Sequence, residues 1–185
     1  IAIGMGARVN ILDVSALRLA YLDDVFGNSV TTLMSHDENI HNAVVGADLV
    51  IGAVLIPGAK APSLVTEEMV KLMKPGSVIV DVAVDQGGCV ETAEVTSHDR
   101  PILVRHGVLH YAVPNIPGAV SHPATYALTN VTLKYARDIA RHGLEEAVRR
   151  DEALRKGVNC YRGKVTHAAV AQSLGEKSVE LATLV

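Results

Sequence analysis

Hydrophobic and polar positions change period repeatedly along this chain. Residues 7–14, ARVNILDV, alternate like a strand that ends in Asp13. Residues 15–27, SALRLAYLDDVFG, then place Leu17, Leu19, Leu22 and Phe26 at helical spacing, with Ser15 as N-cap and Gly27 as stop. A second strand is expected at 29–35, and a short helix at 37–47 with Asp37 capping and Gly46 ending it. Residues 48–56, DLVIGAVLI, form a near-continuous apolar run, the mark of a strand covered on both faces. Thr66 and two glutamates open a helix over 66–76 that Lys74-Pro75-Gly76 closes, and strands are expected at 77–84 and 107–113.

Strands alternating with helices of this length build βαβ units, hence a parallel sheet with helices on both faces. Residues 122–143 form one long helix whose apolar positions Leu128, Val131, Leu133, Tyr135, Ile139 and Ala140 nearly encircle it, as in a helix clasped between layers or domains. Another amphipathic helix is expected over 144–157, then an extended stretch and a small helix to about residue 175. The closing residues, EKSVELATLV, read as frayed or docked.

Composition narrows the function classes. The chain has 185 residues, 49% of them hydrophobic and 20% charged, and a mean hydropathy of +0.25, which suits a buried α/β core and excludes disorder. A net charge of −3 provides no basic field for nucleic acid or anionic lipid. No apolar run approaches the roughly 20 residues that cross a bilayer. Cys89 and Cys160 make neither a disulfide framework nor a zinc pattern, so a reducing, cytoplasmic setting is expected.

Ligands of open parallel sheets bind at the carboxyl ends of strands, and three strand exits here carry chemistry. Asp13 stands where a βαβ unit offers a carboxylate to an adenosine ribose, or else it caps an ordinary turn. An acidic residue there favours NAD, because a 2′-phosphate would be repelled. Asp85, in DVAVDQGGC, projects beside Gly87 and Gly88 and either handles a proton or caps a turn. Asn115 lies between two prolines in VPNIPG, as a recognition amide or a turn former. Pro57-Gly58 after Val54 and Leu55 lets backbone approach a flat ring, or forms a plain loop. The glycines of GMG at 4–6 precede a strand, so they close a helix instead of cradling phosphate. His106 and His110 are expected on one strand face near His98, and with no further ligand placed by spacing no metal site is expected. No base is identifiable for Cys89, which reads as a buried or strand-end thiol.

The stretches ILDVSALRLAYLDDVFG, ADLVIGAVLIPGAKAP, VTEEMVKLMKPGSVIVDVAVDQGGC, HGVLHYAV, YALTN and NCYRGKVTHAAVA together resemble alanine dehydrogenase, from about residue 4 to about 174. The resemblance implies reversible, NAD-dependent oxidative deamination of L-alanine to pyruvate and ammonium, in L-alanine catabolism, by a cytoplasmic homo-hexamer. It implies that Asp85 sits by nicotinamide and substrate and that Asp13 holds the adenosine ribose, with Arg18 and Ser35 around it. Val54, Leu55, Val82, Ala83, Val84, Val113, Pro114, Asn115 and Ile116 line the cofactor on the same reading.

It also implies a C-terminal fragment: residues 1–122 as a partial Rossmann-like, doubly wound NAD-binding domain without its first strand and glycine loop, and 123–185 as a connecting helix plus the end of the catalytic domain. The substrate-binding lysine and arginine and the catalytic histidine of such enzymes lie in an N-terminal domain outside these residues. In a sheet of order 3-2-1-4-5-6 the strand lacking here belongs between those ending at Asp13 and Leu55. Glu94 departs from the pattern, standing where a basic residue is usual, as does SHPAT at 121–125. The alternatives are the NAD-binding domain of a nicotinamide nucleotide transhydrogenase and a nucleotide-binding module without catalysis.

Overall fold

A computed structural model describes all residues from 1 to 185. The chain forms two compact units: residues 1–53, 62–84 and 88–114 make the first, and 54–61, 85–87 and 115–185 the second.

In the first unit, β1 (Val9–Asp13) pairs in parallel with β2 (Val30–Met34), Val9 opposite Val30 and Asp13 opposite Met34. Between them runs α1 (Ala16–Phe26), whose first turn is closed by the Ser15 Oγ accepting from the Arg18 N–H at 3.2 Å. Helix α2 (Asp37–Gly46) follows β2. Its cap is His36, whose Nδ1 accepts from the Asn39 N–H at 3.4 Å, and not the expected Asp37. Asp37 instead stands in the first turn, where its charge suits the helix dipole.

A second sheet runs β3 (Leu49–Gly52), β4 (Val78–Asp81), β6 (Val108–Tyr111), β5 (Ile102–Arg105), in that spatial order. The first three strands are parallel, and β5 lies antiparallel on β6. Helix α3 (Glu67–Leu72), capped by the Thr66 Oγ1, leads into β4. The sheet order therefore matches the doubly wound expectation with one interruption: β1 and β3 are not paired, and each has a ladder partner on one side only.

That interruption changes what the apolar run at 48–56 means. The strand stops at Gly52, and Leu49 and Ile51 remain 51% and 59% exposed, because the layer that would cover them is not supplied by these residues. The strand expected at 77–84 likewise ends early, at Asp81, where the chain turns into a 3-10 helix over Val82–Gln86.

The histidines correct another expectation. His106 is not on a strand face with His110; with φ of 52° it forms the tight turn between β5 and β6 alongside Gly107 and bonds Glu67 Oε1 at 2.7 Å. His110, 1% exposed, is a core residue. Its Nδ1 lies 3.0 Å from the Val108 carbonyl. A carbonyl only accepts, so Nδ1 carries the proton and Nε2 accepts from the Thr92 hydroxyl at 2.7 Å.

Burial lowers the His110 pKa below its ordinary 6.5, against a smaller rise from the Val108 carbonyl. The unfolded chain therefore binds more protons at mildly acid pH. The stability that neutral His110 contributes is complete above about pH 6.5 and is lost as pH falls from there through the folded value. Melting temperatures measured from pH 7.5 to 5 should fall with pH, and should fall less steeply in His110→Gln.

The second unit contains α4 (Ser121–His142), α5 (Leu144–Arg150), α6 (Glu152–Lys156), the hairpin β7 (Cys160–Tyr161) and β8 (Lys164–Val165), and α7 (Ala168–Leu174). One helix was expected over 144–157; the chain breaks at Asp151, whose carboxylate leaves the helix to cap α6 through the Leu154 N–H at 2.9 Å. The C-terminal residues are docked: the Val179 N–H donates to the Val165 carbonyl, and Leu181 is buried. Within this unit α4 buries no residue, and Tyr126, Leu128, Val131 and Leu133 are more than half exposed. No helix is long and apolar enough to cross a membrane.

Candidate functional site

In the first unit the parallel pairing of β1 and β2 sets two strand exits side by side. The Ser35 N–H donates to the Asp13 carbonyl at 2.9 Å, so two of the sequence-derived residues are direct neighbours. Asp13 Oδ1 accepts the Ser15 N–H at 2.7 Å, the turn-capping role weighed above. Its Oδ2 takes no protein donor, which leaves an acceptor at the strand end. The Arg18 guanidinium stacks on the Tyr21 ring, 5.0 Å from the centroid.

The exit of β4 is organised by Asp81. This carboxylate is fully buried; Oδ1 accepts the Ala83 N–H at 3.0 Å and Oδ2 the Cys89 N–H at 2.9 Å. The Cys89 Sγ lies 3.6 Å from Oδ1, and this thiol is buried as expected. Gly88, at φ 76°, has no room for a side chain, since a Cβ would stand 2.9 Å from Asp81 Oδ2. Of the residues expected to line a cofactor here, Val82 is 45% exposed, whereas Ala83, Val84 and Val113 are buried and Pro114 partly so.

In the second unit, Asp85 is exposed, and its Oδ2 accepts the Asn115 N–H at 3.3 Å. Asn115 adopts the left-handed conformation, φ 51° and ψ 52°, which asparagine tolerates better than most residues. These two sequence-derived residues are thus brought together. Leu55 is 66% exposed, and Val54 and Ile116 are half-buried. An open cavity of about 430 Å³ is lined by Gly58, Ala59, Lys60, Gln86, Gly87 and Ser173. The Lys60 stem lies across Gly87, where a Cβ would meet its Cε at 2.6 Å. Buried Gln86 Oε1 and His167 Nδ1 have no protein partner.

Sequence reasoning missed both Lys60 and Asp81. The signal for Lys60 was its place in a glycine-rich strand exit; Asp81 gave none, because two backbone N–H groups and a buried thiol are its partners. No group of three or more His, Cys, Asp or Glu side chains could hold a metal ion. Glu94, where a basic residue was expected, is ion-paired with Arg105.

Residues 1–168 match the family described as Alanine dehydrogenase/PNT, C-terminal domain. The chain belongs to this family. It is 63% identical over 174 residues to an alanine dehydrogenase of Methanococcus maripaludis, covering 94% of this chain and 47% of that protein. Among solved structures, an L-alanine dehydrogenase is similar with a TM-score of 0.81 at 51% identity, over 94% of this chain and 48% of that one. A transhydrogenase from Sinorhizobium meliloti is similar with a TM-score of 0.64 at 31% identity, over 90% of this chain and 44% of its own. The chain spans about half the length of these alanine dehydrogenase/PNT relatives.

Proposed function

We propose that this chain is the nucleotide-binding half of an NAD-dependent alanine dehydrogenase. The whole protein converts L-alanine, NAD⁺ and water to pyruvate, ammonium, NADH and a proton, reversibly. The observation that carries the reading is the 63% identity to the Methanococcus maripaludis alanine dehydrogenase across nearly the whole chain.

Bound NAD supplies the hydride acceptor. Asp13 takes the adenosine ribose through the oxygen that no protein group occupies, with Ser35 beside it and Arg18 on the same turn. Val54 and Leu55, Val82 to Val84 and Val113 to Ile116 bound the rest of the dinucleotide, the buried members through their backbone. Asp85 is the catalytic residue: an exposed carboxylate held by the Asn115 N–H can accept or return a proton as water adds to the oxidised substrate carbon. Hexameric assembly is part of the same proposal and is checked by sedimentation of the complete protein.

Alanine-dependent NADH formation by the complete protein tests the activity; NADH formed only from another nucleotide would make it a transhydrogenase, the reading that the Sinorhizobium meliloti likeness supports. Asp13→Ala should raise the KM for NAD about 10- to 100-fold, the worth of a hydrogen bond to a charged acceptor. It should leave kcat nearly unchanged and narrow the preference for NAD over NADP. An unchanged KM would remove Asp13 from the cofactor site.

A further inference from the structure

The most completely buried charged side chain of the first unit is one that the proposed chemistry does not use. Asp81 ends β4 with no exposed surface, yet it meets no cation: its partners are the N–H groups of Ala83 and Cys89 and the Cys89 thiol. A carboxylate buried without a positive partner is costly unless hydrogen bonds satisfy it. Here they do so by tying together two points of the chain that are six residues apart. The Gly88 N–H adds a bond to the Ala83 carbonyl at 3.1 Å, which closes the same turn again.

Space has been cleared for this arrangement. Glycine at 88 leaves room beside Oδ2, and glycine at 52 on the neighbouring strand leaves room for the Cys89 sulfur, which a Cβ there would strike. Between the tied ends the chain runs through Val84, Asp85, Gln86 and Gly87, so Asp85 is borne on a loop whose two feet are fixed.

We infer that Asp81 is a positioning residue for Asp85: by clamping Ala83 and Cys89 it sets the conformation of the turn that carries the catalytic carboxylate. The inference rests on the role proposed for Asp85. Misplacing a reacting group by about 1 Å costs up to roughly 100-fold in rate, so the clamp acts on turnover and not on affinity.

The experiment is a double-mutant cycle in the complete protein carrying this sequence, with Asp81→Asn, Asp85→Asn and the pair. An asparagine at 81 keeps one acceptor and turns a donor toward an N–H, which opens one foot of the loop. Asp81→Asn should lower kcat for alanine on the order of 10- to 100-fold, keep the KM for NAD within roughly twofold, and cause no further loss once Asp85 is already asparagine. Gly88→Ala, which crowds Asp81 Oδ2 without altering charge, runs the same cycle and decides the matter if Asp81→Asn fails to fold. Undiminished kcat in both variants overturns the inference. So does an equal loss in the Asp85→Asn background, which marks Asp81 as merely structural. Normal turnover by Asp85→Asn alone would instead remove the role proposed for Asp85, an outcome read from that variant without reference to Asp81.

Discussion

Replacing Asp85 by asparagine should lower kcat for alanine oxidation in the complete protein by about 10²- to 10⁴-fold, the span usual for loss of a positioned acid–base group. The substitution is close to isosteric, and an amide oxygen can still accept the Asn115 N–H now bonded at 3.3 Å. The turn is therefore retained while the ability to hold a proton is lost. The KM for NAD should stay near its starting value, because the adenosine end is proposed to bind at Asp13. Steady-state kinetics in both directions check this. A variant that turns over at the original rate would show that the carboxylate does no chemistry.

The parts of the site visible in the sequence share one property: their geometry is local. Asp13 and Ser35 close strands with clean alternation, and parallel pairing then brings them together without further information. Asp85 and Asn115 were flagged by glycines and prolines that force turns at strand exits. What escaped notice depended on partners without a side-chain signature. Asp81 reads as the polar member of an alternating strand, and only the folded chain turns the Ala83 and Cys89 N–H groups toward it. The His106–Glu67 contact joins residues 39 positions apart, and placing His106 on one strand face with His110 failed because a two-residue turn at His106-Gly107 has no length of its own to be noticed. Arg18, three residues before Tyr21 on α1, stacks its guanidinium on that ring. Asp151 was hidden by good helix formers on both sides, though aspartate prefers the cap to the helix interior.

Expressed by itself, the 185-residue chain should self-associate and show no alanine-dependent NADH formation. The reason lies in the gap between β1 and β3. Each has one unpaired edge, and an exposed strand edge is a template for pairing with another chain. The side chains point the same way. Leu49 and Ile51 on β3 are more than half exposed, and so are Leu17, Tyr21 and Val25, which recur at i, i+4 and i+8 as one stripe along α1. The α1 stripe and the β3 positions are both apolar and both uncovered; left so, their burial contributes nothing against the entropy of ordering the chain. Sedimentation velocity should find oligomers or precipitate at micromolar concentration. Ile51→Lys, which puts a charge on the open edge, should shift the distribution toward monomer, as lysines do on natural edge strands. A monomeric chain with a single sharp melt would mean that these edges are closed by means other than pairing. The prediction therefore bears on the fold itself: a parallel sheet interrupted at its centre keeps the correct strand order but has no continuous core to hold its two parts in one cooperative unit.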